Sequence, residues 1–264
     1  MSTSAQAAPP SVLSFAASDP TSGAGMQADL LTLAALGCHP LSVVTAITAQ
    51  DTCGVAKLWP LSSAWIAEQA RVLLDDVRVA AFKAGVLASA DNVRAVGDVV
   101  QRYSQVPFVV DPVFASGRGD ALADDEAIAA LRETLLPRTT VLTPNSLEAR
   151  RLARGAADLR DCARQLVATG CRYVLITGTH EQGAEVVNTL YDERGVVRED
   201  RWPRLPDTYH GSGCTLASAI AARLAHGVAV AEAVREAQEF TWHALAAGFA
   251  AGRGQLLPNR FYGR

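Results

Sequence analysis

Apolar runs of strand length alternate with amphipathic runs of helical length along almost the whole chain, and this alternation constrains the fold more than any other feature. Strands are predicted over residues 12–17, 41–49, 80–84, 108–111, 140–143 and 173–177. Helices are predicted over residues 26–36, 62–76, 91–103, 125–136, just after Pro144-Asn145, and over 160–169, 213–226 and 230–249, with Gly37 as the C-terminal stop of the first. A hairpin is expected over 185–192 and 195–201, turning at Asp192-Glu193-Arg194-Gly195. Strands that each carry a following helix form a largely parallel sheet covered on both faces. With 264 residues, 49% of them hydrophobic, the chain has material for one substantial core, and residues 12–264 read as a single α/β domain. Residues 1–11 are small, polar and proline-containing and read as a short disordered tail without the basic start and apolar run of a secretory signal.

A net charge of −3 gives no electrostatic case for nucleic acid or an anionic membrane as partner, and no uninterrupted apolar run reaches membrane-spanning length. Five cysteines, an odd number without a Cys-x-x-Cys pair, point to reduced thiols and a cytoplasmic setting. Of the 24 basic residues only Lys57 and Lys83 are lysines, so a phosphate clamp here falls to arginine, backbone or metal.

Open parallel sheets bind ligands beyond the carboxyl ends of their strands. Polar residues collect at those ends: Ser18 and Asp19, Gln50 and Asp51, Asp111, Asn145, and Thr177-Gly178-Thr179-His180. The stretch His210-Gly211-Ser212-Gly213-Cys214-Thr215 opens an apolar helical run. Two glycines permit a tight turn and close ligand approach, and the first N–H groups of the helix have no intrahelical acceptor, which makes an anion site. Cys214 sits inside it, where a helix start depresses a thiol pKa. The residue types leave two readings open at each position. Cys214 is a reactive group or a small buried helix residue. His210 is catalytic or caps a backbone group. Asp111, ending a buried strand before Pro112, serves a magnesium or phosphate site or caps a turn. Asn145 with Glu148 orders a hydrated magnesium or forms a capping box. No Gly-Lys pair exists, so a P-loop is excluded, and Ser22-Gly23-Ala24-Gly25 does not have dinucleotide-fingerprint spacing.

Four segments in order carry a resemblance: Ala17-Ser18-Asp19-Pro20-Thr21-Ser22-Gly23-Ala24-Gly25-Met26-Gln27-Ala28-Asp29; Thr45-Ala46-Ile47-Thr48-Ala49-Gln50-Asp51-Thr52; Thr143-Pro144-Asn145-Ser146-Leu147-Glu148-Ala149; and His210-Gly211-Ser212-Gly213-Cys214-Thr215-Leu216. Together they resemble the hydroxymethylpyrimidine/phosphomethylpyrimidine kinases of thiamine biosynthesis, in the ribokinase-like superfamily. The resemblance implies a three-layer α/β/α fold, ATP with Mg²⁺ as phosphoryl donor, an aminopyrimidine acceptor and a homodimer. It also implies that Gly211, Ser212 and Gly213 form the anion hole, with Cys214 where most superfamily members carry a catalytic Asp. Asn145, Glu148 and Asp111 would order magnesium and phosphates, and Gln50, Ala17, Ala24, Asp29 and Val113 would surround the pyrimidine. The chain departs from the family at three places. Thr177 stands where relatives often have Lys; Gly117, beside Arg118, stands where they have a phosphate-reaching Lys; Val86 replaces a pocket Met.

Phosphoryl transfer needs positioning and charge stabilisation more than a strong base. A Cys214 thiolate would assist proton removal from a hydroxymethyl acceptor, and a phosphate acceptor needs no such help. The Gln50 carboxamide offers a donor and an acceptor to an aminopyrimidine edge. Three competing readings remain: a pyridoxal kinase of the same superfamily, a thiol acyltransferase or hydrolase using Cys214 and His210, and a pyrimidine-binding protein with weak turnover.

Overall fold

The structure, a computed structural model, describes residues 8–116 and 119–263. Gly117 and Arg118, the pair expected over the phosphates, lie outside the described residues. Nine strands form one sheet: β1 (Ser11–Ser18), β2 (His39–Gln50), β3 (Val55–Pro60), β4 (Ala81–Ala84), β5 (Phe108–Val110), β6 (Val141–Leu142), β7 (Tyr173–Thr177), β8 (Glu185–Asp192) and β9 (Gly195–Pro203), in the order β3-β2-β1-β4-β5-β6-β7-β8-β9. The pairs from β2 through β1 and β4 to β7 are parallel. β3 at one edge and the β8–β9 hairpin at the other are antiparallel.

Alternation within the strands sorts side chains onto two helical layers. Leu13, Phe15, Phe82, Phe108, Leu142 and Val174 point to one face. There they meet α2 (Ser63–Asp76), α3 (Ala90–Gln101), α4 (Asp125–Ala130), α5 (Ser146–Leu152) and α6 (Leu159–Val167). Val12, Ala81, Val109, Val141 and Leu175 point to the other, against α1 (Gly25–Ala35), α7 (Ser212–Ala225) and α8 (Val230–Ala246). Helix α7 is buried at every position from Cys214 to Ala222, because it lies between the sheet and its two neighbours. That explains why its sequence is apolar or small all round rather than amphipathic. The three layers expected from the sequence are present.

Three local expectations need correction. Ser11 belongs to β1 and the Pro10 carbonyl accepts the His39 N–H, so the end of the segment read as a tail is part of the sheet. The helix expected over 125–136 stops at Ala130 and continues as a π-helical turn, Leu131–Leu135, and a 3₁₀ turn, Leu136–Arg138. Pro137 supplies no N–H, and the Thr134 hydroxyl bonds back to the Ala130 carbonyl at 2.5 Å. Strand β3 was not legible: it is a half-exposed edge strand ending in Pro60, and only its register with β2 (Ile47 opposite Trp59) makes it a strand.

The chain runs from β1 outward to β2 and β3, then returns to the other side of β1 to begin β4. The sheet order therefore reverses between β1 and β4, and the crevice beyond their carboxyl ends is where such sheets place a ligand.

Candidate active site

The turn leaving β1 is organised by one carboxylate. Asp19, 2% exposed, accepts the Thr21 N–H (2.8 Å) and hydroxyl (2.9 Å), the Ala24 N–H (2.7 Å) and His210 Nε2 (2.9 Å). Burial pushes its pKa up, but these donors and Gln50 outweigh burial and hold it at about 2. The turn is thereby fixed against the loop that enters α7. Two glycines allow the close fit. A Cβ on Gly211 (φ 80°) would lie 1.9 Å from the Gly23 carbonyl oxygen, and one on Gly25 (φ 58°) would lie 2.5 Å from that of Ala17.

Gly211 caps α7, whose first helical hydrogen bond runs from the Thr215 N–H to the Gly211 carbonyl at 2.9 Å. The N–H groups of Ser212, Gly213 and Cys214 precede that bond and have no acceptor among the described residues. Free N–H groups at the positive end of a 14-residue helix can receive an anion, the arrangement expected of a cradle. Facing it from the end of β5, Asp111 Oδ2 lies 3.5 Å from the point a Gly213 Cβ would occupy. That oxygen is buried with no hydrogen-bond partner. Burial raises the Asp111 pKa to about 6, against the nearby Lys83 ammonium. Glu148, half-buried, is raised to about 8 by burial and by the Asp111 charge. Two hard carboxylates, one with an orphaned oxygen and both with pKa values raised by burial, fit a divalent cation whose other ligands are phosphate oxygens and water. No set of three or more metal-ligating side chains occurs among the described residues.

The capping-box reading of Asn145 and Glu148 holds. Asn145 Oδ1 accepts the Leu147 and Glu148 N–H groups at 3.0 Å and Glu148 Oε2 accepts the Asn145 N–H at 2.8 Å, a complete capping box. The Glu148 carboxylate also accepts a backbone hydrogen bond from Phe114 and lies close enough to Asp111 to feel its charge. Thr177 reaches the same place through a parallel bridge to Asn145 and an N–H bond to the Pro144 carbonyl at 3.0 Å.

The expected pyrimidine residues separate into two groups. Ala17 and Ala24 belong to the β1 turn, Gln50 ends β2 with Nε2 3.4 Å from His210 Nε2, and Val86 and Val113 follow β4 and β5. Asp29 does not belong with them. It is fully buried in α1, with Lys83 Nζ 2.9 Å from both carboxylate oxygens and the Ser218 hydroxyl 2.8 Å from one. Burial raises its pKa above the ordinary carboxylate value, the bidentate ammonium and the hydroxyl oppose that rise, and it has no surface left for a ligand. It supports the site from beneath.

Cys214 also differs from expectation. Its burial outweighs the helix start and the Lys83 charge, and pushes the thiol pKa up to about 12, so the resting group is a neutral thiol. His210 bonds to Asp19 and Gln50 rather than orienting toward a nucleophile, which removes the basis for a Cys–His acyltransferase. Three residues were missed: Asp19 as the hub of the turn, Lys83 beneath the site, and Arg260. The signal for Lys83 was in the sequence, since a lysine inside a buried strand needs a partner.

A profile of the phosphomethylpyrimidine kinase family matches residues 19–259. The chain is 44% identical over 254 residues to a hydroxymethylpyrimidine/phosphomethylpyrimidine kinase of Streptomyces coelicolor, covering 93% of this chain and 92% of the relative. Among solved structures, pyridoxal kinase from Staphylococcus aureus in complex with pyridoxal superposes with a TM-score of 0.88 at 28% identity, covering 98% and 96% of the two chains. Phosphomethylpyrimidine kinase from Clostridium difficile superposes at 0.76 with 32% identity, covering 88% and 97%. A profile match over residues 19–259 and 44% identity across nearly the full length of a relative show that the chain belongs to the phosphomethylpyrimidine kinase family.

Proposed function

We propose that this protein transfers the terminal phosphoryl group of ATP to the hydroxymethyl group of an aminopyrimidine, and then to the resulting monophosphate. The observation that carries this reading is the pairing of three unpartnered N–H groups at the start of α7 with the orphaned Asp111 oxygen facing Gly213. A transferred phosphoryl anion fits between them, held by backbone dipoles on one side and, through a cation, by carboxylate on the other. Asp111 and Glu148 would hold Mg²⁺, which supplies charge neutralisation of the phosphates. Asn145 and Thr177 flank the nucleotide, Arg118 supplies positive charge in place of the absent lysine, and Gln50 reads the pyrimidine edge beside His210. Cys214 sits under the cradle as a neutral thiol and contributes position rather than a resident thiolate.

A second reading, phosphorylation of pyridoxal, is supported by the TM-score of 0.88 to the S. aureus pyridoxal kinase, against 0.76 to the C. difficile phosphomethylpyrimidine kinase. Incubation with ATP–Mg²⁺ and, separately, hydroxymethylpyrimidine, its monophosphate and pyridoxal, with products identified by mass, separates the two. Phosphorylated pyridoxal alone would overturn the pyrimidine reading. We also propose a homodimer in the cytoplasm. Its surface is the exposed apolar set Ile47, Trp59 and Trp65 on β2, β3 and α2. Among the described residues no helix is long and apolar enough to cross a membrane.

A further inference from the structure

The last described residues return to the site from behind the glycines. The Leu256 carbonyl accepts the His210 N–H at 2.9 Å and the Leu256 N–H bonds to the Thr208 carbonyl at 3.0 Å, so the segment lies beside the loop that enters α7. Four residues later Arg260 is 4% exposed. Its Nε donates to Thr215 Oγ1 (3.2 Å), Nη1 to the Ser22 carbonyl (3.3 Å) and Nη2 to the Gly23 carbonyl (2.6 Å). Every one of these acceptors is neutral. Asp29, Asp19 and the Cys214 thiol lie within range of its field, yet none accepts a hydrogen bond from it.

Burial of a guanidinium with no carboxylate hydrogen-bonded to it is costly, and burial lowers its pKa to about 10, which still leaves it charged at neutral pH. Its contacts lie on both walls of the cradle. The Gly23 carbonyl oxygen is the atom a Cβ at Gly211 would strike, and the Thr215 hydroxyl donates to the Gly211 carbonyl at 2.8 Å. Arg260 thus fixes the β1 turn to the first turn of α7 and places a positive charge, with no carboxylate bonded to it directly, against the Gly23 carbonyl and the Thr215 hydroxyl.

We propose that Arg260 is a positioning residue for the transferred phosphoryl group, aligning the cradle N–H groups through Gly23 and Thr215 and adding positive potential that favours the bound anion. The inference rests on reading the α7 start as the phosphoryl cradle. It assigns a role to the C-terminal segment, which contains no part of the glycine motif.

The test compares wild type with Arg260→Lys, Arg260→Met and Arg260→Gln. The first readout is the rise in melting temperature on adding inorganic phosphate, which does not depend on the identity of the acceptor. The second is kcat and KM with ATP–Mg²⁺ and hydroxymethylpyrimidine. Wild type and Arg260→Lys are expected to be stabilised by phosphate, and the two neutral variants are not. A buried charge near an anion site changes anion affinity by roughly 10- to 100-fold. Accordingly kcat should fall by about that factor in the neutral variants, with KM for the pyrimidine within about threefold, and Arg260→Lys should recover most of the loss. A neutral variant that keeps the full phosphate response, or a Lys variant as impaired as Met, overturns the proposal. So does a wild-type protein indifferent to phosphate. If neither neutral variant folds while Arg260→Lys does, the residue is a structural brace and the electrostatic role fails. Inactivity of wild type toward the pyrimidine with an intact phosphate response would instead overturn the substrate reading alone.

Discussion

Replacing Lys83 by Met tests whether the buried pair beneath the site is an ionised unit. Lys83 Nζ lies 2.9 Å from both Asp29 oxygens, and both side chains are wholly inaccessible to water. Met has nearly the volume of Lys and leaves no cavity, so the perturbation is electrostatic. It removes the ammonium and leaves Asp29 with the Ser218 hydroxyl as its remaining donor, among apolar neighbours and near Asp111. Breaking one side of a buried pair costs about 3–5 kcal/mol, a large share of the roughly 5–15 kcal/mol by which a domain is stable. Removing both charges together, as Lys83→Met with Asp29→Leu, should cost about 1 kcal/mol or less, since a buried pair and an apolar pair of similar volume are close in stability. The coupling between the two positions should therefore exceed about 2 kcal/mol. Urea unfolding at pH 7 measures each loss. The pH dependence has a definite sign. In the single variant Asp29 has a folded pKa above its unfolded value, so stability falls as pH rises above about 4. The deficit should be smaller at pH 5 than at pH 7. A Lys83→Met loss below about 1 kcal/mol, or two single losses that simply add, would refute the ionised-pair account.

Asp19→Asn should destabilise the protein by roughly 2 kcal/mol at pH 7, because the native carboxyl is held near 2 against 3.8 unfolded. That contribution is present above pH 3.8 and lost as pH falls toward 2, so wild type and variant should converge in acid; a constant gap would contradict it. Gln50→Ala should weaken pyrimidine binding by roughly 1–3 kcal/mol and leave ATP binding unchanged, as read by calorimetry with each ligand. Equal losses for both would place Gln50 elsewhere. Cys214→Ala should slow transfer to the alcohol and to the phosphate acceptor by the same factor in single-turnover assays, because the buried thiol is neutral. A loss of about 100-fold or more confined to the alcohol step would show that it acts as a general base after all.

Local order was open to reading because its signals are short-range. The period-2 and period-3.6 patterns placed the main parallel strands and their helices within a few residues, and residues at the strand ends gathered at one edge because parallel strands end on the same side. The glycine hairpin, Asn145 with Glu148, and Gln50 were visible because turn chemistry, capping and amide recognition each leave a mark within a few residues. Tertiary structure alone decided which charges face one another. The Lys83–Asp29 pair spans 54 positions and His210–Asp19 spans 191, and Arg260 reaches Gly23 across 237. No periodicity encodes such distances. It also decided ionisation. A helix start predicts a depressed Cys214 thiol, while packing between the sheet and two helices buries that sulfur and raises it to about 12. Helix position is written in the sequence, but the desolvation that opposes it depends on every element folded around the site.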